Sequence, residues 1–176
     1  MKKIYYKKKK QGYLIWLTGI SGSGKSSIAK KIIKSLRKNI GSTILINGDD
    51  IREIFKLNSY DNLSRKEIAF MYSKFCNFIN RQGINILFAT ISMFEDVRKL
   101  NRKLNPKTYI EIFIKCSLEK SINNKKNIYR NKKNIVGKDI KLEEPKLPDI
   151  KIINNLDRSI NEISTEILDK ILKIIK

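Results

Sequence analysis

The chain has 176 residues, 41% hydrophobic and 31% charged, a balance that excludes a disordered segment and suits one compact core. No run approaches the ~20 apolar residues of a membrane span, which excludes a helical membrane protein on hydropathy grounds. The formal net charge of +21 raises nucleic-acid binding, but the lysines are spread along the chain, apart from a run at 7–10 and a cluster near 125–133, so a solvated lysine-rich surface is the plain reading and an anionic small substrate the next.

In chain order, the N-terminus is basic, but the apolar run behind it, Leu14–Thr18, is too short for a signal-peptide core and reads as a buried first strand. A helix is expected over Lys25–Lys38, with Ile28, Ala29, Ile32, Ile33 and Leu36 facing inward, and a second strand over Thr43–Ile46. A short helix is expected from Ile51, capped by Asp49 or Asp50. Ser64 and Glu67 have the spacing of a capping box and open a long helix whose apolar face is Ile68, Met71, Tyr72, Phe75 and Ile79, ended by Gly83. Ile84–Ala89 reads as a third strand, Phe94–Leu104 as a helix and Tyr109–Ile114 as a fourth strand. Residues 125–149, polar and punctuated by Gly137, Pro145 and Pro148, read as a structureless lid. A last strand is expected at Lys151–Ile153, and a final helix behind a Ser159–Glu162 capping box. Strands alternating with amphipathic helices define an α/β fold with a parallel sheet of about five strands. Cys76 and Cys116 share no redox or metal spacing, which points to a reduced, cytoplasmic protein.

Gly19-Ile20-Ser21-Gly22-Ser23-Gly24-Lys25-Ser26 fits G-x-x-x-x-G-K-[ST] in full. Glycines let successive backbone N–H groups curl around a phosphate, and the helix that opens at Lys25 aims its positive end at the same anion. Lys25 is expected to reach the β- and γ-phosphates of ATP, and Ser26 to ligate Mg2+, with Gly19, Ser21, Gly22, Ser23, Gly24 and Ser27 completing the cradle. Because the motif lies between a buried strand and an amphipathic helix, the sequence is expected to form one P-loop NTPase domain over 1–176, with 125–149 as its lid.

A P-loop by itself does not separate a kinase from a GTPase or a motor. The chain is short for a motor, and no N-K-x-D guanine signature is present. Asp49 follows the second strand at the carboxyl edge where α/β sheets bind ligands, placed to orient Mg2+ or to take the acceptor hydroxyl's proton. Arg52 is placed to clamp an acceptor phosphate, and Ser92, behind the third strand, holds another edge position with a turn serine as its alternative.

With these residues in place, the sequence resembles the adenylylsulfate kinase family over nearly its whole length. The resemblance rests on the P-loop, Asn47-Gly48-Asp49-Asp50-Ile51-Arg52, Arg65, Ala89-Thr90-Ile91-Ser92, Lys126-Asn127-Ile128-Tyr129, Gly137-Lys138-Asp139 and Glu143-Glu144-Pro145-Lys146-Leu147-Pro148-Asp149, in the family's order. It implies a homodimeric, Mg-ATP-dependent kinase that phosphorylates the ribose 3′-hydroxyl of adenosine 5′-phosphosulfate, with Asp49, Arg52, Arg65, Ile91, Ser92, Lys126 and Ile135 at the acceptor. The departures gather on that acceptor. Ile68 and Phe70 stand where the family has asparagine and arginine, Ile135 where a stacking phenylalanine sits, Met93 and Phe94 where proline and tyrosine sit, and Asn123–Lys125 where an Arg-Asp pair packs on ATP's adenine. The segments 70–76, 89–95 and 134–139 are similar instead to a divergent branch found among bacterial surface-polysaccharide genes, which includes the cytidine diphosphoramidate kinases. That points to a cytidine diphosphoramidate-like acceptor, with adenylylsulfate as the alternative. From a different class, a catalytically weak nucleotide- or nucleic-acid-binding module would use Lys7–Lys10 and the lid lysines, and salt-sensitive binding would mark it; nucleic acid and membrane are not the expected partners.

Overall fold

The computed structural model describes residues 10–176, so Lys7–Lys9 of the basic run lie outside the described residues. Five strands, β1 (Leu14–Thr18), β2 (Thr43–Asn47), β3 (Asn85–Thr90), β4 (Tyr109–Lys115) and β5 (Ile150–Ile153), form one sheet in the order β2-β3-β1-β4-β5. Every neighbouring pair is parallel. The order reverses around β1: the chain passes from β1 to β2 and β3 on one side, then crosses to β4 and β5 on the other. A crevice therefore opens at the carboxyl end of β1, where a doubly wound sheet receives its ligand.

Helices cover both faces, so β1 is buried along its whole length and reads as a continuous apolar run rather than an alternating one. On one face Ile15, Leu17 and Leu87 pack against Ile28 and Ile32 of α1 (Lys25–Ile40) and Ile163 and Ile167 of α7 (Ile160–Ile175). On the other, Leu14, Trp16 and Phe88 pack against Tyr72 of α3 (Asn62–Asn80) and Val97 of α4 (Glu95–Leu104). Trp16 and Phe88 are register partners and stack with centroids 4.7 Å apart, an offset aromatic pair worth about 0.5–1.5 kcal/mol beyond its area burial.

The expected strands and the helices α1, α4 and α7 stand within two residues of the sequence reading, and the Ser159–Glu162 capping box forms in both directions. Four expectations are corrected. The short helix α2 (Gly48–Ile54) starts three residues early, so Asp49 and Asp50 lie in its first turn and Asn47 is the N-cap. Asn47 makes no capping bond: its Nδ2 donates to the Asp50 carboxylate at 2.9 Å, and its Oδ1 accepts from no helix N–H. The cap of α3 is Asp61, which accepts from the Ser64 N–H at 3.0 Å, in place of the Ser64–Glu67 box. Aspartate is as good a cap as serine, and this one lengthens the helix by a turn. Met71 and Phe75, assigned to the inner face of α3, are exposed together with Leu63 and Phe78; the sheet is met by Tyr72, as expected, with Ala69 and Cys76 beside it.

The fourth correction is the segment 125–149, which is not structureless. Helix α5 (Leu118–Asn124), capped by Ser117, runs directly into α6 (Lys126–Asn131), and a tight turn follows in which the Ile135 carbonyl accepts from the N–H groups of Lys138, Asp139 and Ile140. The far end of the segment is anchored to buried charge. Arg98 donates to the Glu143 carbonyl at 2.9 Å and to Glu95 at 2.6 Å, and lies 3.6 Å from the buried Glu111. Arg102 bridges Glu111 and Asp149, and Asp149 accepts from the Glu111 backbone N–H at 2.7 Å. Burial pushes the Glu111 carboxyl up to about 7, against the pull of Arg98 and Arg102. No helix among the described residues is long and apolar enough to cross a membrane.

Candidate active site

The loop Gly19–Gly24 leaves β1 and enters α1 at the sheet crevice, and its backbone conformation requires its glycines. Gly22 and Gly24 have φ of 84° and 90°, and a Cβ on Gly22 would lie 2.8 Å from the Ser121 carbonyl oxygen. A Cβ on Gly19 would lie 2.5 Å from the Ile114 carbonyl oxygen of β4. The loop's carbonyls are held from outside by three side chains: Tyr129 Oη donates to Ser21 at 3.0 Å, Asn124 Nδ2 to Gly22 at 2.8 Å and Asn154 Nδ2 to Ser23 at 3.0 Å. With three successive carbonyls engaged on one side, the loop's shape is set before any phosphate arrives. Tyr129 closes the Lys126–Tyr129 motif of the resemblance, where it had no role assigned, and Asn124 and Asn154 were not singled out as donors. Asn124 lies in the stretch flagged as a departure beside the lid, and no local pattern marks a donor 102 residues from its acceptor.

Lys25, the first residue of α1, is buried, and its ammonium donates to the Ile20 carbonyl at 2.7 Å and Ser23 Oγ at 3.4 Å. Burial lowers its pKa to about 8, partly offset by the nearby Asp49 carboxylate. A desolvated ammonium inside a glycine cradle is an arrangement that an incoming phosphate stabilises. Ser21, Gly22, Gly24, Lys25, Ser26 and Ser27 all line a cleft of about 660 Å3, whereas Gly19 and the fully buried Ser23 shape the loop from behind.

The same cleft continues to the second group of expected residues. Asp49, Arg52, Arg65, Ile91, Ser92 and Ile135 line it. Gly48, ahead of Asp49, packs so closely on β3 that a Cβ there would lie 2.9 Å from Thr90 Oγ1, and its carbonyl accepts from Tyr72 Oη at 3.1 Å. Asp49 is thereby fixed at the cleft while its neighbour Asp50 is engaged by Asn47. The Ser92 loop is held by Thr18 at the end of β1, which donates to the Ser92 carbonyl at 3.2 Å. Ser92 Oγ is buried and has no hydrogen-bond partner among the described residues. Lys126 does not line this cleft; it lies on a shallower groove along Asn123–Ile128.

One residue at the far end of the cleft, Tyr60, escaped the sequence reading. The Tyr60 ring lies 4.5 Å from the Arg52 guanidinium and 5.1 Å from that of Arg65, with the Lys132 ammonium at 5.6 Å. An aromatic between two helices is indistinguishable in sequence from a core residue, which is why Tyr60 gave no signal. Arg52 donates to the carbonyls of Leu57 and Ser59 at 2.9 and 3.0 Å, and Arg65 to Tyr60 at 2.8 Å and, across to the 125–149 segment, to Asn134 at 2.9 Å. Among the described residues, no carboxylate lies within ion-pair distance of Arg52, Arg65 or Lys132.

A five-stranded parallel sheet, a complete phosphate loop at its crevice and a cleft running to a separate cationic end define a P-loop kinase. The adenylylsulphate kinase family model matches residues 11–153. The cytidine diphosphoramidate kinase of Campylobacter jejuni is 37% identical over 172 residues, covering 94% of this chain and 99% of that protein. The adenylyl-sulfate kinase of Clostridium kluyveri is 33% identical over 165 residues, covering 90% and 82%. In three dimensions the chain is similar to the Mycobacterium tuberculosis APS kinase CysC in complex with AMPPNP and APS, with a TM-score of 0.80, 27% identity and coverage of 92% and 98%. The chain belongs to the adenylylsulphate kinase family.

Proposed function

We propose that the protein transfers the γ-phosphoryl group of ATP to the ribose 3′-hydroxyl of a nucleotide, with a cytidine diphosphoramidate-like molecule as the preferred acceptor, in the modification of surface polysaccharide. The observation that carries this reading is the single cleft that joins the phosphate loop, Asp49 and the Arg52–Arg65 pair. ATP enters with its phosphates against Gly22, Gly24 and Lys25. Among the described residues no group of three or more His, Cys, Asp or Glu could hold a metal alone, so Mg2+ would be carried largely by ATP's own oxygens, with Ser26 and Asp49 completing its shell; the ion would neutralise charge on the transferring group. Asp49 then takes the acceptor hydroxyl's proton as the oxygen attacks the γ-phosphorus, the bond from that phosphorus to the bridging oxygen of the β-phosphate breaks and ADP leaves, while Lys25 stabilises the charge that builds on the phosphoryl oxygens.

The acceptor preference is argued from what the cleft lacks. Ile68 and Ile135 put apolar carbon where a nucleobase or its linkage would otherwise meet an amide or an aromatic face, and Phe70 is half-buried against the core rather than lining the cleft. Losing one charged hydrogen bond costs about 1.5–3 kcal/mol and one stacked ring about 0.5–1.5 kcal/mol. Similarity to the Campylobacter jejuni cytidine diphosphoramidate kinase over 94% of the chain supports the same acceptor. Coupled assays of ATP consumption with cytidine diphosphoramidate and adenylylsulfate side by side test this. The expected result is a higher kcat/KM for the cytidine compound; a preference for adenylylsulfate would replace it with the family's sulfate chemistry.

On the same reading, residues 1–176 act as one cytoplasmic kinase unit with 125–149 as its lid, and two copies pair through the exposed stripe of α3. Leu63 and Phe78 there are 75% and 66% exposed, an apolar surface that a partner covers more readily than water. Light scattering of wild type against Phe78→Glu checks the pairing, with a dimer expected only for wild type.

A further inference from the structure

The lysines are dispersed along the chain, but the carboxylates are not, and they leave one end of the molecule bare. All five strands run the same way, so the sheet has two unlike edges, and the phosphate loop and cleft occupy the carboxyl one. At the opposite edge, segments 10–13, 39–42, 81–84 and 103–108 lead into β1, β2, β3 and β4. Hydrogen bonds knit them into one face. The Gly12 N–H donates to the Asn80 carbonyl at 2.8 Å, Gln11 Nε2 to Asn105 Oδ1 at 2.8 Å and Asn85 Nδ2 to the Ile40 carbonyl at 2.9 Å. None of the four segments contains an aspartate or glutamate. At the cleft edge, by contrast, β2, β3, β4 and β5 are each followed by a carboxylate: Asp49, Glu95, Glu119 and Asp157 in turn. Asp49 is also the first acidic residue of the whole chain.

Lys10, Lys38, Arg81, Lys103 and Lys107 stand exposed on or beside this face. None has an ion-pair partner among the described residues. Helix ends account for three of them. Lys38 and Lys103 lie in the last turns of α1 and α4, and Arg81 is the C-cap of α3, where the backbone's partial negative charge favours a cation. Lys10 and Lys107 lie in loops, and no helix end calls for them. Lys10 also closes the Lys7–Lys10 run, for which phosphoryl transfer in the cleft has no use. Like charges gathered without partners repel one another, and an external anionic surface relieves that cost.

The shape of the face selects the partner. No residue of the four segments lines the cleft or the shallower groove, so the face offers point charges to an extended surface rather than a pocket to a small anion. Four of these five cations are lysines, compact charges on flexible stems that suit mobile headgroups; the arginine fork suits ordered phosphates and base edges. We infer that this face docks peripherally on a bilayer surface rich in anionic phospholipid, with the cleft turned toward solution. Hydropathy excludes a helical span and does not bear on such a contact, which is electrostatic. The inference holds whichever acceptor the cleft takes.

Cosedimentation of the full chain with vesicles tests this. Phosphatidylcholine vesicles are compared with vesicles containing about 30% phosphatidylglycerol, at about 0.1 M and about 0.5 M salt. The test variant is Lys10→Glu/Lys107→Glu, two exposed loop side chains without a hydrogen-bond or ion-pair partner among the described residues, so folding is not at stake. The control, Lys120→Glu/Arg130→Glu, makes the same change in net charge on exposed positions of α5 and α6, which pack on the phosphate loop at the other end. Wild type is expected to bind only the phosphatidylglycerol vesicles and to leave them at the higher salt. The Lys10→Glu/Lys107→Glu variant is expected to partition at least about 10-fold more weakly, and the control within about 2-fold of wild type. No binding, equal binding to both vesicle types, or equal weakening in both variants overturns the inference. A duplex DNA of about 20 base pairs is the competing polyanion: if it strips wild type from the vesicles at equal phosphate concentration, the face belongs to nucleic acid and the inference also falls.

Discussion

On the proposed function, Lys25 and Asp49 are the single residues that carry the chemistry, and each has a consequence that can be measured. The ammonium of Lys25 is desolvated to a pKa of about 8, and it engages phosphate only in its charged form. The free enzyme loses that form as pH rises through this value, and kcat/KM reports the free enzyme. We therefore expect kcat/KM for ATP to be level below about pH 7.5 and to fall above about pH 8, while the fall in kcat is displaced upward, because bound phosphate stabilises the charge. A profile level to about pH 10 contradicts this account of Lys25. Asp49 stands in the first turn of α2 with its neighbour Asp50 engaged elsewhere. Asp49→Asn is expected to lower kcat by at least ~10²-fold with Tm little changed. Early melting with retained turnover would show that the carboxylate serves only the helix. The phosphate-loop residues were legible in the sequence because their chemistry is local: eight consecutive residues fix one loop. Tyr60, Asn124 and Asn154 were not, because each acquires its role only from residues distant in the chain.

Elements were legible where burial alone decides them. β1, β3 and β4 are covered on both faces, so their apolar runs leave no second interpretation. The helix starts were harder, since a cap depends on which of several neighbouring side chains wins the N–H groups. Asp61 won over Ser64 on α3, and on α2 Asn47 holds the cap position without a capping bond. Segment 125–149 looked structureless because its helix α6 has only six residues and no amphipathic period to detect. Its anchor, the Arg98–Glu111–Arg102–Asp149 network, yields an element-scale prediction. The Glu111 carboxyl is raised to about 7 in the folded chain from an ordinary value of 4.5. The folded state thus holds more protons than the unfolded state between those values, and Glu111's contribution to stability falls as pH rises through that window. Glu111→Gln lacks this fall, so the Tm of the variant minus that of wild type is expected to become more positive from about pH 5 to 7. A difference that stays constant would mean that Glu111 is ionised throughout.

For the whole molecule, the sheet order places one cleft at the reversal around β1, with the phosphate loop at one end and the Arg52–Arg65–Tyr60 wall at the other. The order of motifs along the chain made this layout legible, but the sequence does not say which faces of α3 meet the sheet and which meet solvent. Met71 and Phe75 repeat at helical spacing as well as any core residue does, yet they join Leu63 and Phe78 on the outside. Periodicity identifies an apolar stripe without identifying what covers it. The wide dispersal of the +21 net charge fits a kinase whose anionic substrates approach through a positive field. The central claim is that one cleft carries a phosphoryl group from ATP to a ribose 3′-hydroxyl. Phosphorus NMR of the product formed from ATP and cytidine diphosphoramidate tests it most directly. The account predicts a new phosphomonoester resonance coupled to the ribose H3′ proton, whereas hydrolysis of ATP without that resonance, or coupling to another ribose position, would contradict it.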